Sequence, residues 1–246
     1  MRGFDLFTFP PFGFSIVRIA EIFNSLQGEG TLLGTPSTFV RTSGCNLRCV
    51  WCDTPYASWE PEGSEMEVSE ILGQIEAHGS RHVVLTGGEP MMAREVHVLA
   101  DRIRETGHHL TIETAGTIAP EGMACDLVSL SPKLANSSPI GKLPAAWVER
   151  HEARRWQPGV VRDWMQAAAC QLMFVICSED DLGEMESMVG ELGGDIDPHS
   201  IFLMPEGVTN ETLRERAAWL IDVCRERGYR YGHRLQIELF GHTRGT

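Results

Sequence analysis

Phe39-Val-Arg-Thr-Ser-Gly-Cys-Asn-Leu-Arg-Cys-Val-Trp-Cys-Asp53 begins as a run of branched and aromatic residues and becomes a loop carrying Cys45, Cys49 and Cys52. The C-x3-C-x2-C spacing puts three soft thiolate donors on one short loop, one fewer than the usual four ligands of a zinc ion or an iron–sulfur cluster. If no protein group supplies the fourth, the centre keeps an open position, and open positions are where metal centres do chemistry. Two readings supply it from the protein. A structural zinc site would add a histidine or another cysteine, but zinc ribbons pair two C-x2-C knuckles and this chain has no second one. A ferredoxin-like cluster would add Cys125, Cys170, Cys177 or Cys224. Cys177 falls in an apolar strand pattern and Cys224 on the apolar stripe of a helix, positions where cysteine acts as a small hydrophobe.

Outward from this loop, strand patterns alternate with helix patterns. Strands are predicted over Ile16–Phe23, Ser37–Arg41, His82–Leu85, Leu110–Glu113, Leu127–Leu130, Leu172–Cys177, Ile201–Met204 and Leu235–Phe240. Val68, Ile71, Leu72 and Ile75 recur at helical spacing, so Val68–His78 is predicted as a helix, with Ser64 and Glu67 as a capping box. Ala93–Glu105, Asp180–Glu191 and Thr209–Arg227 are the other predicted helices, the last with Asn210 near its start and Gly228 past its end. Residues 134 to about 160 break the rhythm with Pro, Ser and Gly, and predict an irregular insertion carrying a short helix. Alternating strands and helices mean an α/β fold with a largely parallel sheet and functional residues at the carboxyl ends of its strands. About six such strands are too few for an eight-fold barrel, so a partial (β/α) barrel with few helices is expected. The expected organisation is an N-terminal extension over 1–15 and a single domain over 16–246.

Seven cysteines, an odd number with three crowded together, argue against a secreted disulfide framework and for a reducing cytoplasm. With 34 acidic against 21 basic residues the net charge is −13, so no bulk field attracts nucleic acid and a small-molecule substrate is expected. No apolar run reaches the length of a membrane span. The Phe- and Pro-rich start is interrupted by Asp5 and Pro10-Pro11 and lacks a small-residue cleavage site, which speaks against a signal peptide.

Gly87-Gly88-Glu89-Pro90 follows the His82–Leu85 strand. Glycines there allow close backbone approach, and Glu89 can accept from an ammonium or sit at a helix N-terminus, where acid is favoured in any case. Glu113, Ser131, Lys133 and Pro205 occupy successive strand ends, where polar groups and backbone can reach a ligand.

The cysteine spacing, with aromatic Trp51 before the last cysteine, resembles the signature of the radical S-adenosylmethionine superfamily. That resemblance implies a [4Fe–4S] cluster on the three thiolates, with S-adenosylmethionine chelating the fourth iron and giving a 5′-deoxyadenosyl radical on reductive cleavage. It also implies a partial (β/α) barrel. It assigns Trp51, Gly87, Gly88, Glu89, Glu113, Ser131, Lys133 and Pro205 to the cofactor. Ser25-Leu-Gln-Gly-Glu-Gly30, the run into Cys45, and Cys52-Asp-Thr54 narrow this to a similarity with the 7-carboxy-7-deazaguanine synthase family. The similarity implies conversion of 6-carboxy-5,6,7,8-tetrahydropterin to 7-carboxy-7-deazaguanine and ammonia, with S-adenosylmethionine regenerated. It assigns Gln27 and Glu29 to the pterin ring edge, Arg41 to the substrate carboxylate and Thr54 to Mg²⁺. In that family the tail folds over the substrate, and His242, where many members carry asparagine, would meet it. Further implied are a flavodoxin- or ferredoxin-type reductant and a homodimer, without nucleic-acid or membrane partners. A glycyl-radical activase shares the cysteine spacing, but Gln27-Gly-Glu29 and Thr54 speak against it.

Overall fold

A computed structural model describes residues 15–246; apart from Ser15, the expected extension over 1–15 lies outside the described residues. Nine strands are present among them: β1 (Ile16–Leu26), β2 (Pro36–Thr42), β3 (Ser64–Glu67), β4 (His82–Gly87), β5 (His109–Thr114), β6 (Leu127–Leu130), β7 (Cys170–Ile176), β8 (Ile201–Pro205) and β9 (Arg230–Tyr231). They form one sheet in the order β3-β1-β2-β4-β5-β6-β7-β8-β9. From β2 across to β9 every neighbouring pair is parallel, while β1 is antiparallel to both β2 and β3. The sheet is open and mostly parallel, as a partial barrel requires. It exceeds the expected strand count partly because β3 and β9, of four and two residues, are too short and polar to leave a periodic signal.

The helices are α1 (Pro55–Ser58), α2 (Val68–His78), α3 (Val96–Glu105), α4 (Ala145–Arg155), α5 (Pro158–Ala167), α6 (Asp181–Leu192), α7 (Asn210–Arg227) and α8 (Leu235–Phe240). Strand period two divides the sheet between two duties. Val83, Leu85, Leu110, Ile112, Val128, Leu130, Leu172, Phe174, Ile201 and Leu203 join the main core with the apolar stripes of α2, α3, α5, α6 and α7. Each such side chain, fully buried, contributes roughly 1.5–3 kcal/mol. Their alternates, Thr86, Glu113, Ser129, Met173, Val175 and Met204, face a cavity on the other side. The outer face supplies the stability, which leaves the inner face free to carry polar chemistry.

Three expectations need correction. Residues 134 to 160 are mostly helical rather than irregular: α4 and α5 occupy 145–167, and Pro158 starts α5, where a missing N–H costs nothing. Leu235–Phe240 is a helix, not a strand. Leu235, Ile237 and Leu239 imitate strand alternation, but only Ile237 is buried, and the edge of β8 is already paired by β9. The capping box of α2 is made by Glu67 and Glu70, while Ser64 lies in β3.

The segment containing α5 is anchored by Trp164, which is fully buried and donates Nε1–H to Ile118 O at 2.9 Å. Trp164→Ala is expected to cost about 3–5 kcal/mol in denaturant unfolding. Trp164→Phe should cost less, because it keeps most of the packing and loses the hydrogen bond. Near-neutral values for both would show that α5 contributes little to the core.

Candidate active site

The cysteine loop leaves the end of β2 and is held against the end of β4 by backbone contacts. Gly44 N donates to Ala57 O (2.8 Å), and Glu89 N donates to Gly44 O (2.9 Å). A Cβ on Gly88 would strike Gly44 O, lie 2.5 Å from Ala57 O and 2.7 Å from Cys45 Cβ, so only glycine fits. On Gly87 it would lie 2.7 Å from Thr42 O and 3.0 Å from Thr42 N.

The outer side of the loop rests on the segment after β6. Val50 N donates to Ser137 O (2.9 Å), and Trp51 Nε1–H donates to Asn136 Oδ1 (3.1 Å). His151 of α4, 2 % exposed, accepts from Arg48 N at Nδ1 (3.1 Å) and meets Ser137 Oγ at Nε2 (2.9 Å). Because Nδ1 accepts a backbone N–H, the ring is neutral with its proton on Nε2, donated to Ser137. Burial, which pushes the imidazole pKa down, favours the same state.

Cys45, Cys49 and Cys52 line one cavity together with Trp51, Thr54, Gly87, Gly88, Glu113, Ser131, Lys133 and Pro205. Lys133 Nζ donates to Ser131 Oγ (2.6 Å) and stands 5.7 Å from the Trp51 ring centre. Burial, then the charge of Glu29, push the Glu113 carboxyl up, against the bond from Gln27 Nε2 (2.9 Å). Glu89 does not line the cavity. Fully buried, its carboxylate accepts from Thr114 Oγ1 (2.7 Å), Ala115 N (3.0 Å) and Met91 N (3.2 Å), tying the ends of β4 and β5 together.

Across the cavity stand Gln27, Glu29 and Arg41. Gln27 Oε1 accepts from Glu29 N (3.1 Å), and Arg41 Nε is held by Glu21 Oε1 (2.7 Å). Two residues missed in the sequence join them from the 234–236 stretch. Arg234 Nε donates to Glu29 Oε1 (3.1 Å), Nη1 donates to Gly207 O (2.8 Å), and Nη2 pairs with the Asp53 carboxylate. Burial alone would raise Asp53, but the Arg234 guanidinium outweighs it and holds that carboxyl below its usual range. Gln236 Nε2 donates to the same Glu29 oxygen (2.7 Å), while its own Oε1 is buried without a partner. Reading 235–240 as a strand concealed Gln236, and Arg234, just before it, carries no local signal. His242 is on the exposed tail, with Nε2 2.8 Å from Asp53 O, outside the cavity lining; Thr246 lines it instead.

Residues 39–136 match the Radical SAM superfamily model. The chain is 46% identical over 233 residues to the 7-carboxy-7-deazaguanine synthase of Rhodopirellula baltica, covering 94% of this chain and 90% of the relative. It is 42% identical to the 7-carboxy-7-deazaguanine synthase of Halobacterium salinarum over 90% of each chain. This chain belongs to the 7-carboxy-7-deazaguanine synthase family. The crystal structure of QueE from Escherichia coli superposes with a TM-score of 0.63 at 26% identity, covering 88% of this chain and 93% of that one. SuiB of Streptococcus suis, crystallised with S-adenosylmethionine, shares the fold at a TM-score of 0.50 and 15% identity.

A 7-carboxy-7-deazaguanine synthase is a radical S-adenosylmethionine enzyme, which implies a [4Fe–4S] cluster and S-adenosylmethionine, and the residues present fit both. None of Cys125, Cys170, Cys177 and Cys224 lines the cavity, so the three loop thiols are the cysteines placed to hold a cluster there. Among the described residues no three Cys, His, Asp or Glu side chains gather tightly enough for a single metal ion, as a structural zinc would need. A four-iron cluster is larger and takes its thiolates on separate irons. Burial pushes the Cys45 and Cys49 thiols up to about 12, so positive charge must be bound to displace their protons, as iron does.

His151→Phe keeps bulk but leaves Arg48 N without its acceptor, at about 1–3 kcal/mol, while Ser137 Oγ loses the imidazole and keeps its bond to Leu134 O (2.6 Å). Iron is expected to leave the reconstituted variant several-fold faster than wild type in air. His151→Gln, with one acceptor and one donor, should recover most of the difference. Equal rates in all three proteins would remove the imidazole from the support of the loop.

Proposed function

We propose that this chain forms 7-carboxy-7-deazaguanine and ammonia from 6-carboxy-5,6,7,8-tetrahydropterin, in the cytoplasm and as a homodimer served by a flavodoxin- or ferredoxin-type reductant. The observation that carries the substrate reading is a single cavity with thiols on one wall and a braced recognition set on the other. Its members are Glu29 under Arg234 and Gln236, the orphaned acceptor of Gln236, and Arg41.

When bound, the cluster and S-adenosylmethionine supply the carbon radical that removes a hydrogen atom from substrate. The chain's own residues bind, orient and hold charge. Glu29 is presented as an acceptor toward the donor-rich ring edge, fixed by two N–H donors before substrate arrives. Gln27 keeps one N–H and one lone pair for the same edge after its bonds to Glu113 and Glu29. Arg41 has Nε engaged by Glu21, which sets the plane of its guanidinium, and its other donors suit the substrate carboxylate. Glu113, Ser131, Lys133, Trp51 and Pro205 are assigned to S-adenosylmethionine. Glu113 gains most from a ligand hydroxyl, because burial disfavours its bare charge.

Thr54 is proposed to hold Mg²⁺ through its hydroxyl. The neighbouring Asp53 carboxylate is committed to Arg234, so the remaining positions would fall to water and substrate oxygens, a set that Mg²⁺ accepts. Its charge would balance the substrate carboxylate during ring contraction.

Anaerobically reconstituted protein should turn over 6-carboxytetrahydropterin only with S-adenosylmethionine and a reductant; absence of the deazaguanine product rejects the substrate assignment. Thr54→Ala should lose activity chiefly by weakening the response to Mg²⁺, and an unchanged Mg²⁺ titration removes Thr54 from the site. Gln236→Leu should raise KM about tenfold, the effect of one lost hydrogen bond to a buried partner. No change in KM would place Gln236 away from the ring.

A further inference from the structure

The chain carries a net charge of −13, yet its basic residues are not spread evenly. Between Lys142 and Arg155 stand four basic residues (Lys142, Arg150, Arg154, Arg155) against two acidic ones (Glu149, Glu152). Arg155 is occupied, pairing with Glu152 and Glu184 at 2.7 Å each. Arg150 and Arg154 are exposed, and neither forms an ion pair among the described residues.

These arginines lie on the outside of the cysteine loop. Arg154 Nη1 stands 3.5 Å from Asn46 O, one residue after Cys45. Arg48, within the loop, donates Nη1–H to Cys45 O (2.8 Å) and Leu47 O (2.7 Å), and its guanidinium carbon is 5.0 Å from the Trp147 ring centre. Arg150 reaches the same ring at 5.5 Å. Trp147, 38 % exposed, therefore carries an arginine from the loop and another from α4. Val50, between Cys49 and Trp51, is 41 % exposed, and its backbone is bonded to Ser137 of the segment leading into α4.

Arginine around an exposed aromatic, with small apolar neighbours, is the composition of a recognition surface. Its positive sign on an acidic molecule selects an acidic partner and steers it to one place. What lies directly beneath is the loop bearing Cys45, Cys49 and Cys52, so the useful cargo for such a partner is an electron.

We propose that the face formed by Arg48, Val50, Trp147, Arg150 and Arg154 docks an acidic one-electron carrier protein of the flavodoxin class, which reduces the cluster through the loop. This rests on the cluster assignment and is independent of the pterin. In the step, the carrier loses one electron and the bound cluster gains it; no atom or proton need be exchanged. Contacts of this kind are small, transient and sensitive to salt.

The test is stopped-flow reduction of the reconstituted cluster in the full chain, without substrate, by reduced flavodoxin and separately by dithionite. Wild type should be reduced by flavodoxin at a rate that falls steeply between low and high salt. Arg150→Glu/Arg154→Glu should slow that reaction at least tenfold at low salt and leave dithionite reduction within about twofold. Sedimentation of both proteins reports their oligomeric state. Unchanged flavodoxin kinetics in the double variant overturn the proposal. Loss of self-association with flavodoxin kinetics intact overturns it too, assigning the face to a second copy of this chain. Failure to form a cluster in wild type would reject the underlying cofactor assignment, and failure to form deazaguanine would touch only the substrate reading.

Discussion

Gly88 meets the cysteine loop backbone to backbone, with no space between them for even one methyl group. The rest of the site follows from that contact. It sets Cys45 beside the end of β4 and lets Glu89 N bond Gly44 O, which fixes the loop above the strand ends. The Glu89 side chain then turns inward to join β4 to β5. A substitution at Gly88 would therefore displace the thiols before it touched any ligand. The motif's acid accepts bonds from both strand ends, and its glycines make the close approach possible.

The cavity is a place of compensated charge. Glu29, Asp53 and Glu113 line it beside Arg41, Lys133 and Arg234. Arg234, with 12 % of its side chain exposed, joins Glu29, which precedes the cysteine loop in sequence, to Asp53, which follows it. Removing it would take from Glu29 and Asp53 the cation that joins them, at a cost that their partial exposure moderates. Glu21 plays the matching part behind Arg41. It also accepts from Tyr56 Oη (2.7 Å) and from Arg244 Nε (3.1 Å), so the tail is tied to β1, the neighbour of the strand that carries Arg41. The pair with Arg244 is partly exposed and weak by itself. Its place in a network gives it positional value.

Much of this could be read in the sequence, because the relevant signals are local. Cysteine spacing, glycines after a strand and the period-two alternation of β4 to β8 each depend on a few neighbouring residues. Gln27, Glu29, Arg41 and Thr54 were named by the family resemblance of the stretches around the motif, and all of them line the cavity. What escaped depends on distant contacts. His151 is an ordinary helical histidine until the loop it supports is seen across more than a hundred residues of sequence. Gln236 belongs to a stretch whose alternation imitates a strand, which the pairing of β8 with β9 rules out, and Arg234 just before it is marked only by its distant partners Glu29 and Asp53. The helices of 145–167 were hidden by prolines that start them but read as breakers.

The central claim is a four-iron cluster on three protein ligands, with its fourth iron left for S-adenosylmethionine. It is tested most directly by changing Cys125, Cys170, Cys177 and Cys224 together to Ala. The reconstituted, reduced protein is then measured for iron content and electron paramagnetic resonance, with and without S-adenosylmethionine. The account predicts four irons per chain, as in wild type, and a cluster signal that changes when S-adenosylmethionine is added. Loss of the cluster, or a signal indifferent to S-adenosylmethionine in both proteins, would contradict it.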